Sequence, residues 1–167
     1  MTNSRKSSIV AIVALFALAA LPSFAATTGT IALTGSVTGI TEISVDLTGA
    51  TSSFDLTATA SDVLIGTLTE RSNRPLGYTV TLASAKGWKF ASPDAGMDDS
   101  VPFSLKYGVA GSEAALTLSG SPVTITSASN KTSAAGVAKR LLISYTGGFY
   151  EESATYSDTL TFTIIAN

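Results

Sequence analysis

The sequence predicts an all-β fold, and three observations carry that prediction. First, of 167 residues 24 are Thr and 23 are Ser, while 45% are apolar and only 13% are charged. Such a chain is too apolar to stay unfolded and too poor in Glu, Lys and Arg to solvate the outer faces of helices. Thr, Val and Ile favour strands, and Gly and Ser favour turns. Second, apolar and polar residues alternate with period two, in short runs, from residue 28 onward. Third, no stretch after residue 25 carries a 3.6-residue apolar period, and the Ala-rich segment Ser133 to Lys139 is long enough for one turn at most.

The first element is an export signal. Arg5 and Lys6 precede an uninterrupted apolar run of 13 residues, Ile9 to Leu21. Pro22 ends the run, and Ser23-Phe24-Ala25 places small residues where a signal peptidase reads. At about 1.5 Å per residue the run spans roughly 20 Å, short of the hydrocarbon core of about 30 Å. Residues 1–25 therefore read as a cleaved signal peptide rather than a membrane anchor, and the mature chain, 26–167, is expected to have no membrane span. Its eight bases stand against twelve acids, a net charge of −4. No basic patch is left, so nucleic acid is not an expected partner.

The strands follow in order. Ile31, Leu33 and Val37 share one phase with Gly35, and Ile43, Val45 and Leu47 come next. Phe54 and Leu56, Leu64 to Leu68, and Tyr78-x-Val80-x-Leu82 continue the pattern. Phe103-x-Leu105-x-Tyr107, Leu116-x-Leu118 and Val123-x-Ile125 come after them, and Leu141-x-Ile143-x-Tyr145 and Leu160-x-Phe162-x-Ile164 close it. Turn residues separate the runs, as in Asn73-Arg74-Pro75-Leu76-Gly77, Ser92-Pro93-Asp94-Ala95-Gly96, Ser119-Gly120-Ser121-Pro122 and Gly147-Gly148. Strands at about ten-residue spacing, in a chain of single-domain length, predict an antiparallel β-sandwich of immunoglobulin-like type.

Composition also bounds the chemistry. The chain has no Cys and no His, which removes disulfides, thiolate and imidazole catalysis and the usual zinc sites. A serine nucleophile would need a lysine or carboxylate base. Lys106 and Lys139 are the candidates, but neither Ser-x-x-Lys nor Gly-x-Ser-x-Gly occurs. The carboxylate pairs Asp98-Asp99 and Glu151-Glu152 are adjacent, so in an extended chain they point to opposite sides and form no glycosidase dyad. Asp94, Asp98 and Asp99 lack the spacing of an EF-hand and read as a solvated loop. Asn130-Lys131-Thr132 fits the glycosylation sequon, a weak signal by itself. Trp88, near Phe90, reads as core. The expectation is a protein that is not an enzyme and holds neither cofactor nor metal.

The two ends of the mature chain are the most informative. Residues 29–39 read Gly-Thr-Ile-Ala-Leu-Thr-Gly-Ser-Val-Thr-Gly, a strand pattern directly after the cleavage site, where chains are usually frayed and polar. At the other end, Tyr156-Ser157-Asp158-Thr159-Leu160-Thr161-Phe162-Thr163-Ile164 alternates almost to the last residue, leaving no later strand to cover its far edge. On these two motifs the chain resembles the subunits of chaperone–usher pili, including their archaic, spore-coat-U-like branch. The motifs cover about 25 residues, while signal peptide, length and all-β pattern agree along the whole sequence.

That resemblance implies an incomplete immunoglobulin-like sandwich, residues 39–167, completed by a strand from another subunit, and an N-terminal donor extension, residues 26–38. A periplasmic chaperone lends the missing strand first, at the outer-membrane usher the next subunit's extension replaces it, and the product is a surface fimbrium that supports adhesion. Carried over by position, Ile31, Leu33, Gly35 and Val37 form the donor strand, and Leu160, Phe162 and Ile164 line the acceptor groove and pair with the chaperone. Burying three apolar side chains is worth about 5–9 kcal/mol, and the glycine lets the strand pass where the groove is shallow. The other reading is a monomeric secreted or periplasmic β-sandwich that binds carbohydrate or another surface ligand, with Trp88, Tyr107, Tyr145 and Tyr150 as its aromatics.

Overall fold

The computed structural model describes residues 30–150 and 155–167. The expected signal peptide, residues 26–29 of the expected extension, and the Glu151-Glu152 pair lie outside them. The chain divides into two units between Ser36 and Val37. The described residues of the first, 30–36, carry no regular secondary structure.

The second unit is all-β, with no helix among the described residues. Its strands are β1 (Thr41–Asp46), β2 (Ala60–Ser72), β3 (Tyr78–Ser84), β4 (Lys89–Ala91), β5 (Ser100–Gly108), β6 (Ala114–Ala115), β7 (Val123–Ala128), β8 (Val137–Tyr145) and β9 (Leu160–Ala166). They form two antiparallel sheets. The larger runs β1-β2-β8-β5-β4, with β6 also pairing with β5, and the smaller runs β7-β3-β9.

The alternation sets the faces. Along β3 every second residue, Tyr78, Val80, Leu82 and Ser84, is buried, and β5 does the same with Val101, Phe103, Leu105 and Tyr107. Both sheets contribute to one apolar cluster. Leu68, Leu105, Leu141 and Ile143 come from the larger sheet and Leu82 from the smaller, with Val123, Ile125, Leu160 and Phe162 packed against it. At one end Phe90 stacks with Phe54 and Phe103, at centroid distances of 5.4 and 5.1 Å.

The segment Asn73 to Gly77 carries the chain from one sheet to the other. Gly77 sits at φ 86°, and a Cβ there would fall 1.9 Å from the Ala128 carbonyl oxygen, so only glycine fits. The structure also departs from the predicted strands. Phe54 and Leu56, and likewise Leu116 and Leu118, lie outside strands and pack on the core as irregular segments. Burial needs an alternating apolar pair; it does not need a ladder. Conversely, the short β4 around Phe90 is a strand the pattern did not mark. Residues 30–39, read as a strand from their alternation, carry no ladder here, because a strand forms only against an edge that satisfies its backbone groups.

Candidate functional site: the flank between β1 and β9

β1 and β9 are the outermost strands of their sheets on one side of the fold, and they approach each other. β1 pairs with β2 from Thr41↔Ser72 to Asp46↔Thr67. β9 pairs with β3 from Tyr78↔Ala166 to Ser84↔Leu160. Among the described residues, neither strand has a ladder on its other edge. Each of the two strands thus presents a row of backbone donors and acceptors on this flank.

The side chains tell the same story. The in-phase residues of β9 are Leu160, Phe162 and Ile164, and all three are only half-buried. Their neighbours across the ladder on β3, Val80 and Leu82, are fully buried. On β1, Val45 faces Leu68 and shares its core-facing phase, yet Val45 is 51% exposed while Leu68 is 0% exposed. Leu47, just past the end of β1, is 63% exposed. Ile43, also in phase, is half-buried against the core cluster. The result is an apolar trough whose walls are Ile43 and Val45 on one strand and Leu160, Phe162 and Ile164 on the other. No charged side chain belongs to these in-phase sets.

Ile31, Leu33 and Val37 are 88%, 90% and 88% exposed. A Cβ built on Gly35 meets nothing within 4 Å. This stretch therefore presents large apolar side chains to solvent, the reverse of what burial free energy favours. Phase alone could have named Ile43 and Val45 as the second wall of the trough, since they follow the same period as the predicted β9 set.

A second cluster was not read from the sequence at all. Glu70 of β2 is 0% exposed. Its carboxylate accepts from the hydroxyls of Tyr78 (2.9 Å), Tyr107 (2.7 Å) and Thr126 (2.7 Å), and Lys139 Nζ lies 2.8 Å away. Lys139 also donates to Thr126 Oγ1 at 2.7 Å and sits over the Tyr107 ring. These five residues stand on five strands drawn from both sheets. Burial, then the hydrogen bond to Glu70 and its negative charge, push both tyrosine hydroxyls well above their ordinary pKa of 10. With four donors around the carboxylate, the cluster ties the sheets together. The signal was present: Gly66, Leu68, Glu70 and Ser72 share one phase, which puts Glu70 on the core face.

The remaining candidates are accounted for. Lys139 is engaged with Glu70, and Lys106 pairs with Asp62 at 2.7 Å, a hydrogen bond that also holds the Asp62 carboxyl below its usual range. Both lysines are thus engaged in ion pairs. Trp88 is 8% exposed and donates its indole N–H to the Gly120 carbonyl. Tyr107 and Tyr145 are buried too, so of the four aromatics considered for a sugar platform only Tyr150 reaches the surface in part.

Comparison of the chain with protein-family models, with curated proteins and with solved structures finds no match.

Proposed function

We propose that this chain is a structural, non-catalytic subunit of a bacterial surface fimbrium that polymerises by donor-strand exchange. In this reading the second unit is an immunoglobulin-like sandwich lacking one strand. The trough between β1 and β9 is its acceptor site, and the segment holding Ile31, Leu33, Gly35 and Val37 is the donor that fills the trough of another subunit. A periplasmic chaperone occupies the trough before assembly, an outer-membrane usher orders the exchange, and the product reaches the cell surface, where it supports adhesion. No cofactor takes part.

One observation carries the proposal: the chain exposes two complementary apolar features at once, a half-covered trough with unpaired strand edges and a solvent-facing alternating segment. Each satisfies what the other lacks. Inserting the segment would bury about three large side chains, worth roughly 5–9 kcal/mol, and add a ladder to a free edge. A carbohydrate-binding monomer would gain nothing from either feature.

The test is assembly of the mature chain, residues 26–167. Without residues 26–38 it should take up an added donor peptide and fail to donate. Gly35→Leu should stop polymerisation while the rest of the chain stays folded by circular dichroism. A Gly35→Leu protein that forms polymers at the wild-type rate sinks the assigned donor register. A chain lacking 26–38 that stays compact and binds no peptide sinks the exchange itself.

A further inference from the structure

The strand directions sort the charged residues into two ends. β1, β8 and β3 begin, and β2, β5 and β7 finish, at the end holding the segments around Arg74, Glu113 and Lys131. There, among the described residues, Arg71, Arg74, Lys131, Lys139 and Arg140 stand against Glu42, Glu70, Glu113 and Asp46, which lies level with Arg140 across β2, a side-chain charge of +1. Among the described residues, the opposite end holds Asp55, Asp62, Asp94, Asp98, Asp99 and Asp158 against Lys86, Lys89 and Lys106, the last paired with Asp62, a side-chain charge of −3. The bridge between Ala91 and Ser157 places the start of β9 at this acidic end too. The nine residues of β5 and β8 span about 30 Å, so the outermost charges, Arg74 and Lys131 at one end and Asp94 and Asp98 at the other, are separated by several times the screening length of about 8 Å at physiological salt. Each pole therefore presents its own field to an approaching molecule.

The basic end is also concave. A cleft of about 230 Å³ opens there, lined by Ile40, Arg71, Asn73, Lys131, Thr132 and Ser133. Arg71 is paired with Glu42 at 2.8 Å, whereas the exposed Arg74 guanidinium lies against Gly39. Asn73 brackets the same stretch, accepting from Ile40 N–H and donating to the Thr38 carbonyl. Cations thus surround the point where the chain leaves β1 toward its N-terminal side.

We propose that this basic cleft receives the aspartate-rich end of a second copy of the chain, so that successive copies meet acidic end to basic end. The inference rests on the donor-strand reading and adds the joint between subunits to it. A heterologous contact of this kind propagates into a filament rather than closing into a dimer. Like ends repel, so the charges reject the reversed docking as well as favouring the correct one. It also sets the donor's direction: a segment leaving the basic end of one copy must emerge at the acidic end of its neighbour's trough, antiparallel to β9.

The test uses the mature chain in two assays. One follows polymerisation at about 20 mM and about 500 mM salt. The other follows uptake of a peptide of residues 30–39 by the full chain carrying Gly35→Leu. Arg74→Glu with Lys131→Glu, both at exposed positions, should slow polymerisation about tenfold or more at low salt and leave peptide uptake within about twofold. High salt should slow the wild-type chain toward the same rate. Pairing the reversed chain with one carrying Asp98→Lys and Asp99→Lys should restore assembly. A reversed chain that polymerises at the wild-type rate at low salt overturns the joint and leaves the donor reading intact. Absence of peptide uptake by the unreversed chain overturns the donor reading, and the joint with it.

Discussion

The centre of the fold and its β1/β9 flank are built from the same alternating residues and end in opposite states. At the centre, Leu68, Leu105 and Val80 are sealed, and a buried carboxylate takes donors from four other strands. At the flank, Leu160, Phe162 and Ile164 repeat the pattern but stay partly exposed, and Val45 stands 51% exposed opposite a fully buried Leu68. The difference teaches that alternation specifies a face and leaves its cover unspecified. The centre is covered by its own chain. The flank has backbone edges and apolar walls without a lid, the condition under which a strand from elsewhere gains both hydrophobic burial and a ladder.

The largest effect on a single molecule should come from the centre. Glu70→Ala strands Lys139 and leaves three hydroxyls without their acceptor, and should cost about 3–5 kcal/mol in urea unfolding. A loss below about 1 kcal/mol would mean that the cluster merely fills space. Next comes a matched pair on adjoining strands. Leu82→Ala should cost about 2–5 kcal/mol in the unassembled subunit. Ile164→Ala should cost about 1–2 kcal/mol there, because solvent already reaches part of that side chain. In assembled material the two costs should converge. Equal costs in the free subunit would erase the contrast between centre and flank.

The smallest effect is electrostatic and sharpens the account of the centre. Tyr78 and Tyr107 have folded pKa values raised above 10, first by burial and then by Glu70. Below pH 10 both are neutral in both states and their contribution is intact. Above pH 10 the unfolded chain loses those protons first, so stability falls as pH rises through the raised values. Tyr107→Phe should flatten that alkaline slope, read as unfolding free energy at pH 8 and pH 11. An unchanged slope would place the titration elsewhere.

Much of the fold was legible because period-two burial is local. Tyr78-x-Val80-x-Leu82, Phe103-x-Leu105-x-Tyr107 and Leu141-x-Ile143-x-Tyr145 are strands with the faces their spacing requires. Trp88 belongs to the core, as its apolar context implied. Glu70 was passed over because charge usually means surface, although its phase with Leu68 pointed inward. Its partners stand between 8 and 69 positions away in sequence, and no spacing rule brings Tyr78, Tyr107, Thr126 and Lys139 to one carboxylate.

The amino-acid order alone therefore determined which residues turn inward, where the turns fall, and that the chain lacks the thiols and imidazoles of much familiar chemistry. The tertiary structure decided which strands neighbour which, that β1 and β9 are left outermost side by side, and that six aspartates gather at the end opposite Arg74 and Lys131. The reason is physical. Alternation acts between residues two positions apart, whereas an uncovered edge or a charged pole arises only when distant segments have already taken their places.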